Sequence, residues 1–413
     1  MSSQPRSSTR SRTRGVTLTE LMVALVISSL AALAIYGAFS SVSSVTSQTR
    51  AQDSAWQQAR TAMTMLTQAI EGAGYGLPMN ECGGGVYSNV PTTSTGTSTV
   101  QYTVSTSSPS GGLFLTPVAA VAQTTANPYD YSPGSINTYA LTTVAGGSPF
   151  GSAPVTTITK TSGKSLTAVN VFVSNASLLQ SMDMFLIPLP NSSCIMGQVT
   201  NANPGGGSNV VANPGLSTFN APGGFSATDP GITTSQLINR GIINLGNTGF
   251  TIKNFFIGDG AGTQAGTQVP SLYMQTYTYL NGNGGQPAPV LLVARGIIDM
   301  QIAFGYGKNG VVSQYVLPGN PPPAGMTVGD ILTVQVALLV RSTRTMHGDY
   351  AGNPPSTVVL NGSTNPAIPA AVYQIPMNLP AGTTMGCVAG NCNRYLYRVF
   401  TSVIPVRNDI WGQ

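Results

Sequence analysis

Few side chains of this 413-residue chain could do covalent or acid/base chemistry. His347 is the only histidine, so a Ser-His-Asp or Cys-His site, or a metal site with an imidazole ligand, would have to use it. His347 lies in a predicted loop that follows a predicted strand. Three carboxylates, Asp299, Asp330 and Asp349, would have to converge from separate segments to form an acid/base pair. The sequence therefore predicts a protein that is not an enzyme, with no catalytic residue.

Cofactor and metal signatures are also missing from the sequence. The glycine-rich stretches contain neither a GxxxxGK[ST] phosphate loop nor a strand-GxGxxG-helix unit. The turn that begins at Gly258 (Gly-Asp-Gly-Ala-Gly) offers one carboxylate, whereas calcium takes several oxygen ligands. We expect no cofactor and no metal ion.

The composition favours an exported protein. Only 29 residues are charged, about 7% of the chain against roughly 25% in soluble globular proteins. The formal net charge of +5 comes mostly from four arginines in the first 15 positions, and the remainder carries 13 basic and 12 acidic side chains. Because the body is almost neutral, we expect no binding of nucleic acid through a basic surface.

The chain has an even number of cysteines, and its composition favours an exported protein. The four are Cys82, Cys194, Cys387 and Cys392. Such a count favours disulfides, and of the three connectivities we predict Cys387 with Cys392 and Cys82 with Cys194. The short bridge would close a Gly-Asn turn before the last strand. The alternative is a four-cysteine zinc site, disfavoured because only one pair is close in sequence.

An apolar helix follows the arginines. Residues 21–39 contain no charge over 19 positions, which is about 28 Å of helix and enough to cross a ~30 Å hydrocarbon core. Arginines precede it and none follows until Arg50, which predicts a single-pass membrane protein with its amino terminus in the cytoplasm and the bulk of the chain on the other side of the membrane. A secretory signal peptide is the alternative, but its apolar region is only about 7 to 15 residues long and ends at a small-x-small site.

The basic leader, Gly15, a Val-Thr-Leu-Thr stretch, Glu20 and the apolar helix together resemble the leader of type IV pilins and type II secretion pseudopilins. The resemblance implies that a prepilin peptidase cuts between Gly15 and Val16 and leaves the helix on the mature protein. It also implies N-methylation of the new terminus, although the family usually begins with Phe where this chain has Val16. A carboxylate beside an apolar span needs a partner, so we expect Glu20 to pair with the amino terminus of a neighbouring subunit during assembly.

The helix continues beyond the apolar span. Steps of three and four residues connect apolar positions with two polar ones between them, which indicates one stripe that packs on a sheet: Val42, Val45, Thr49, Gln52, Trp56, Ala59, Met63, Leu66 and Ile70. Three glycines at 72–76 end the helix. We therefore predict a leader (residues 1–15), a transmembrane and filament-core helix (16–39), its amphipathic continuation (40–71) and a β-rich periplasmic or extracellular head (72–413).

Val/Ile/Leu/Tyr/Thr-rich runs bounded by turn residues predict the strands of the head: 165–173, 183–189, 194–200, 272–280, 290–306 in two pieces around Gly296, 331–341 and 395–406. Glycine- or proline-rich loops are predicted at 201–227, 259–267, 281–287 and 319–324. The fold class is α+β, a long helix packed on an antiparallel head with long loops.

Several segments resemble the large minor pilins of the PilW type: the turn after Ile70 and the segments that begin at Cys194, Ala294, Val336 and Tyr397. This resemblance implies a structural subunit in the initiation, assembly and tip of a type IV pilus, active in motility and adhesion. Its partners would be other major and minor pilins, the prepilin peptidase and the inner membrane, and it would move from the membrane to the pilus or cell surface. A type II secretion pseudopilin is the first alternative, and a membrane-anchored adhesin or enzyme is the second.

Overall fold

In the computed structural model the described residues are 17–78, 86–87, 116–122, 138–147, 153–161, 169–190, 194–202, 208–213, 220, 233–247, 250–258, 270–278, 286–287, 290–342, 357–359, 374–376 and 395–406. Within them the chain is α+β, as the sequence predicts.

One helix, α1, spans Leu18–Glu71 without interruption. Thr17 caps it, and Thr17 and Glu20 form a reciprocal capping box that satisfies backbone donors of the first turn. The helix ends at Gly72, and the following turn contains Gly74 and Gly76 at φ of 77° and 71°. The left-handed backbone of these glycines confirms the predicted termination.

Antiparallel pairing dominates the rest of the described chain. The strands, in chain order, are β1 (Val86–Tyr87), β2 (Val118–Ala122), β3 (Tyr139–Gly146), β4 (Thr156–Thr161), β5 (Val169–Val173), β6 (Met184–Pro188), β7 (Cys194–Gln198), β8 (Asn201–Ala202), β9 (Asn209–Ala212), β10 (Gly241–Gly246), β11 (Phe250–Gly258), β12 (Ser271–Thr278), β13 (Gln286–Pro287), β14 (Leu291–Arg295), β15 (Ile297–Lys308), β16 (Val311–Val316), β17 (Ile331–Arg341), β18 (Thr357–Val359), β19 (Gln374–Pro376) and β20 (Tyr397–Pro405). A short helix, α2 (Thr234–Leu237), and a 3₁₀ turn (Val328–Asp330) complete the elements.

The strands form three larger sheets and a hairpin. One sheet has the order β1-β7-β6-β10-β4-β5-β9-β8, a second has β13-β12-β11-β3-β2 with β14 also on β12, and a third has β16-β15-β17-β20. β18 pairs with β19. β17 lies between β15 and β20 and is almost wholly buried, which explains why Ile, Leu and Val make up most of its residues.

The second half of α1 joins two of these sheets. It packs against β14 of the second sheet and against β17 and β20 of the third. The side-chain Oε1 of Gln58 accepts a hydrogen bond of 2.7 Å from the backbone N–H of Arg295, at the end of β14. A single core unites the helix with the strands of both sheets.

The turn after α1 is fastened to β3. The backbone N–H of Gly74 donates to the carbonyl of Val144 at 2.7 Å, and that of Gly146 donates to the carbonyl of Tyr75 at 2.6 Å. A Cβ at position 146 would lie 3.0 Å from the Tyr75 oxygen, so this approach requires glycine. The helix is thus held at its end as well as along its face.

The eight-stranded sheet has a core of its own. Its buried residues come from β4 to β10 and α2, among them Ile158, Phe185, Ile195, Leu237 and Ile242. This cluster shares no residue with the core around α1.

The structure corrects several sequence expectations. The strands β1 to β4, β10, β11, β16, β18 and β19 were not predicted, because most are short or begin among glycine, threonine or asparagine residues that are typical of turns. The predicted loops 201–227 and 281–287 contain β8, β9 and β13. The division of 290–306 at Gly296 is confirmed, since this residue separates β14 from β15 with φ of 76°.

Candidate functional site: an assembly helix

The first half of α1 presents an apolar surface to its surroundings. All of its large apolar side chains from Leu18 to Val45 are more than half exposed, for example Leu33 at 68% and Phe39 at 72%. The helix is long and apolar enough to cross a membrane. A surface of this kind needs lipid or other protein to cover it.

The buried face of the second half differs from the predicted stripe. Small side chains pack on the sheets, and the buried set is Ala51, Ala55, Ala59, Ala62, Leu66, Ala69 and Ile70. Of the predicted stripe, only Ala59, Leu66 and Ile70 are buried, while Val42, Val45 and Trp56 are 63%, 58% and 53% exposed. These alanines bring the helix backbone close to the strands. The sequence prediction followed the periodicity of the largest apolar residues and therefore missed most of this face.

Trp56 lies where the helix meets the edge of the third sheet. Its ring meets that of Phe400 on β20 edge to face, with centroids 4.9 Å apart and planes at 82°. Phe400 is partly buried against the core, whereas just over half of Trp56 remains exposed. The pair therefore forms an open aromatic surface beside the helix.

Glu20 lies in the first turn of α1. Its Oε2 accepts hydrogen bonds from the backbone N–H of Thr17 at 3.0 Å and from the Thr17 hydroxyl at 3.1 Å. In return, the Thr17 hydroxyl accepts from the Glu20 N–H at 3.3 Å. The Thr-Leu-Thr-Glu spacing is a capping-box signature that the sequence analysis did not use. Gly15 and Val16 lie outside the described residues.

The carboxylates considered for acid/base chemistry do not converge. Asp299 is buried on β15 opposite Leu339, whereas Asp330 lies at the far end of the same sheet beside the Tyr306–Ile331 pair. Seven residues separate Asp299 from Tyr306 along β15, which is about 23 Å of strand. His347 and Asp349 lie outside the described residues.

Asp299 is an unusual carboxyl group for a different reason. Burial raises its pKa to about 7, against the lowering effect of hydrogen bonds from Gln301, Thr138 and the Met300 backbone. The Gln301 amide donates to both of its oxygens, at 2.9 and 3.1 Å. Thr138 also accepts from the Met300 N–H at 3.1 Å, so this group of residues links β15 to the start of β3.

Another buried carboxylate, Asp183, anchors a loop. Its Oδ2 accepts from the Gln180 backbone at 2.8 Å and from the Asn244 amide at 2.9 Å. The same amide donates to the carbonyl of Leu178. These contacts hold the 174–183 loop on β10. Among the residues that the structure describes, no group of three metal-ligating side chains lies together.

Cys194 is fully buried and is disulfide-bonded. It lies on β7 opposite Val86 of the parallel strand β1. Cys82, Cys387 and Cys392 lie outside the described residues.

Comparison with known proteins gives two sequence matches at different parts of the chain. Residues 10–36 match the prokaryotic N-terminal methylation motif, and residues 254–408 match the type IV pilus-assembly protein W family, PilW. The second match begins within β11 and extends past β20, so it includes β14, β17 and β20, on which α1 packs. The strands β1 to β10, with the whole eight-stranded sheet, lie outside it.

A search of curated proteins found no match. Among solved structures, a type IV-like pilin from Thermus thermophilus is similar at 16% identity, over 39% of this chain and 80% of that one, with a TM-score of 0.20. At that TM-score the similarity supports no conclusion.

The two sequence matches agree with the residues that suggested the family. Of the resembling segments in the body, those that begin at Ala294, Val336 and Tyr397 lie inside the PilW match, and those at Ile70 and Cys194 lie outside it. The methylation motif includes Gly15, Val16 and Glu20. By these matches, residues 254–408 are similar to the type IV pilus-assembly protein W family, and residues 10–36 are similar to the N-terminal methylation motif.

Proposed function

We propose that this protein is a minor pilin, a non-enzymatic subunit that takes part in the initiation and tip of a type IV pilus. The observation that carries the proposal is that one helix connects the two matched parts: α1 begins within the methylation motif, and its second half packs on β14, β17 and β20 of the PilW match. A chain built this way has one body and one protruding apolar helix.

The order of events follows from the charges and the helix. The four leader arginines hold the amino terminus in the cytoplasm, and the head lies in the periplasm. The prepilin peptidase cuts between Gly15 and Val16, and the new terminus receives a methyl group. The exposed half of α1 then leaves lipid and packs among the helices of other major and minor pilins, while the head reaches the pilus surface.

Glu20 has a second role in this scheme. The amino terminus created at Val16 is only about one helical turn from Glu20 on the same chain and is poorly placed for an ion pair with it. In this scheme the charge partner of Glu20 is therefore the amine of a neighbouring subunit. Such pairing neutralises both groups inside an apolar filament core. The capping box is compatible with it, because the cap contacts are made through Oε2 alone.

N-terminal sequencing of the mature protein tests the proposal. A start at Val16 is the expected result, and a start near Ser40 would show an ordinary secreted protein.

A second test separates a pilus subunit from a secretion-system subunit, since the type II pseudopilin alternative shares the leader and the helix. Deletion should abolish twitching and leave exoprotein release intact, whereas the reverse pattern would favour the pseudopilin.

A further inference from the structure

Two neighbouring strands of the second sheet are joined by a very long connection. β3 ends at Gly146 and β11 begins at Phe250, and these two residues lie opposite each other in the antiparallel ladder. Opposite residues of such a ladder are about 5 Å apart between their Cα atoms. Residues 147–249, which we call the inserted segment, thus leave the sheet and return to it at the same point. This is the geometry of a domain inserted at the end of a hairpin.

The inserted segment has its own sheet and its own core. It contributes β4 to β10, and these strands with β1 make up the eight-stranded sheet. The buried residues of that core all lie between Ile158 and Ile242. Among the described residues, the core around α1 takes none of its members from the inserted segment. Because a domain is a set of layers around one hydrophobic core, the two cores indicate two folding units.

The central strands of the eight-stranded sheet are buried on both faces. Leu186 of β6 lies opposite Ile243 of β10, and both are fully buried. They alternate along their strands with Phe185 and Ile242, which belong to the core of the inserted segment, so they point to the other face. Neither of them belongs to the core around α1. The sheet therefore buries both faces of these strands without contributing to that core.

The inserted segment also closes part of its own sheet edge. β1, which comes from outside the segment, pairs with β7 only at Cys194 and Ile195. Further along β7, the side chain of Asn220 takes the place of a strand. Its Oδ1 accepts a hydrogen bond of 2.8 Å from the Gln198 N–H, and its amide donates to the Gln198 carbonyl at 2.9 Å. The backbone groups at this edge are thus satisfied by a residue of the same segment.

The border of the inserted segment agrees with the family match. The PilW match begins at residue 254, shortly after the chain re-enters the second sheet at Phe250. The strands on which α1 packs, β14, β17 and β20, all follow the segment in the chain. The contacts that the proposed assembly uses therefore lie outside the inserted segment.

We propose that residues 147–249 form an inserted domain that folds about its own core, and that assembly into the pilus does not require it. This inference rests on the proposed function and goes beyond it, because it confines assembly to α1 and the sheets on which α1 packs. The inserted domain then has a role on the head that is separate from assembly.

Deletion of the inserted segment from the full chain tests the proposal in cells. A short Gly-Ser linker joins Gly146 to Phe250, and Cys82→Ser removes the cysteine predicted to pair with Cys194. We expect the variant to lose its leader and to enter sheared pili, relative to its total cellular level, within about twofold of the unaltered chain. A variant that is degraded, or that accumulates but stays out of pili, would overturn the proposal. If the unaltered chain keeps its leader and is absent from pili, the proposed function itself fails.

Calorimetry of the full chain in detergent tests the independence of the two cores. Ile158→Ala and Leu338→Ala are matched truncations of fully buried side chains, the first in the core of the inserted segment and the second in the core around α1. We expect two unfolding transitions, and each variant should lower the midpoint of one of them by about 5 °C or more and leave the other in place. A single transition that both variants shift would overturn the proposal.

Discussion

At the scale of single residues, Glu20 has a local role that the structure shows and an intermolecular role in the proposed assembly. Its Oε2 completes the capping box with Thr17 and satisfies a backbone donor of the first turn. The proposed pairing makes a separate use of its negative charge, because a cap needs only an acceptor whereas pairing with an amine needs a carboxylate. Substitutions can therefore separate the two roles.

Glu20→Gln keeps a hydrogen-bond acceptor but removes the charge, so we expect at least a tenfold loss of the protein from sheared pili. Thr17→Ala removes the cap and keeps the charge, and should leave incorporation within about twofold. Immunoblots of pili against total protein measure both. Normal incorporation of Glu20→Gln would refute the pairing with a neighbouring amino terminus.

Asp299 is the residue whose ionisation the structure perturbs most clearly. Burial raises its pKa from 3.8 to about 7, so the folded protein keeps a proton that the unfolded chain releases. The stabilising contribution of the protonated carboxyl is complete below about pH 4 and is lost as the pH rises through about 7. The pKa of Tyr139 on β3 is also raised, first by the partial burial of its own hydroxyl group and then by the negative charge of Asp299.

Thermal unfolding of the full chain in detergent, followed from pH 4 to 8, measures this contribution. We expect Asp299→Asn to unfold with a flatter dependence on pH than the unaltered chain, and to be the more stable of the two at pH 8. Asp53→Asn, at an exposed position of α1, is the matched control and should keep the original slope. An unchanged slope in Asp299→Asn would contradict the raised pKa.

At the scale of elements, the contact between α1 and the sheets depends on small side chains. Ala62 is fully buried at the centre of the alanine face. Ala62→Leu should lower the free energy of unfolding by about 1–3 kcal/mol, because the extra methylene groups overpack a close helix-sheet contact. Thr64→Leu, on the exposed side, should cost nothing. Equal thermal midpoints for the two variants would show that the alanine face is not tightly packed.

The strand pair β1–β7 favours one disulfide connectivity. Val86 lies opposite Cys194, and Cys82 is four residues before Val86 in sequence, a span of at most about 14 Å. We therefore expect Cys194 to pair with Cys82 and, by exclusion, Cys387 to pair with Cys392. Non-reducing peptide mapping should recover one 82–194 linked peptide. A peptide that joins 194 to 387 or 392 would contradict this pairing.

At the scale of the whole molecule, the small number of charged side chains affects how stable the fold is at low pH. The chain has 12 acidic side chains in 413 residues, so protonation of carboxylates removes few favourable interactions, and that of Asp299 adds one. We expect the full chain in detergent to keep its near-ultraviolet circular dichroism from pH 7 down to pH 3. Loss of that signal between pH 7 and pH 3 would contradict this expectation.

The whole molecule also divides into a part that the two family matches cover and a part that they do not. The first half of α1 and the strands β11 to β20 lie within or at the border of the matches, whereas the eight-stranded sheet lies outside them with a separate core. The proposed assembly uses contacts of the first part.

The sequence by itself determined the leader, the apolar span, the length of α1 and the α+β class, because these depend on neighbours along the chain: charge, hydropathy and glycine at the helix end. It also located the break at Gly296. Only the tertiary structure decided which face of α1 is buried, that Asp299 lies far from Asp330, and that Cys194 lies beside β1. These depend on strand pairing between distant segments, which local periodicity does not encode. They also depend on close packing, which buries the small alanine side chains of α1 and leaves the larger Trp56 more than half exposed.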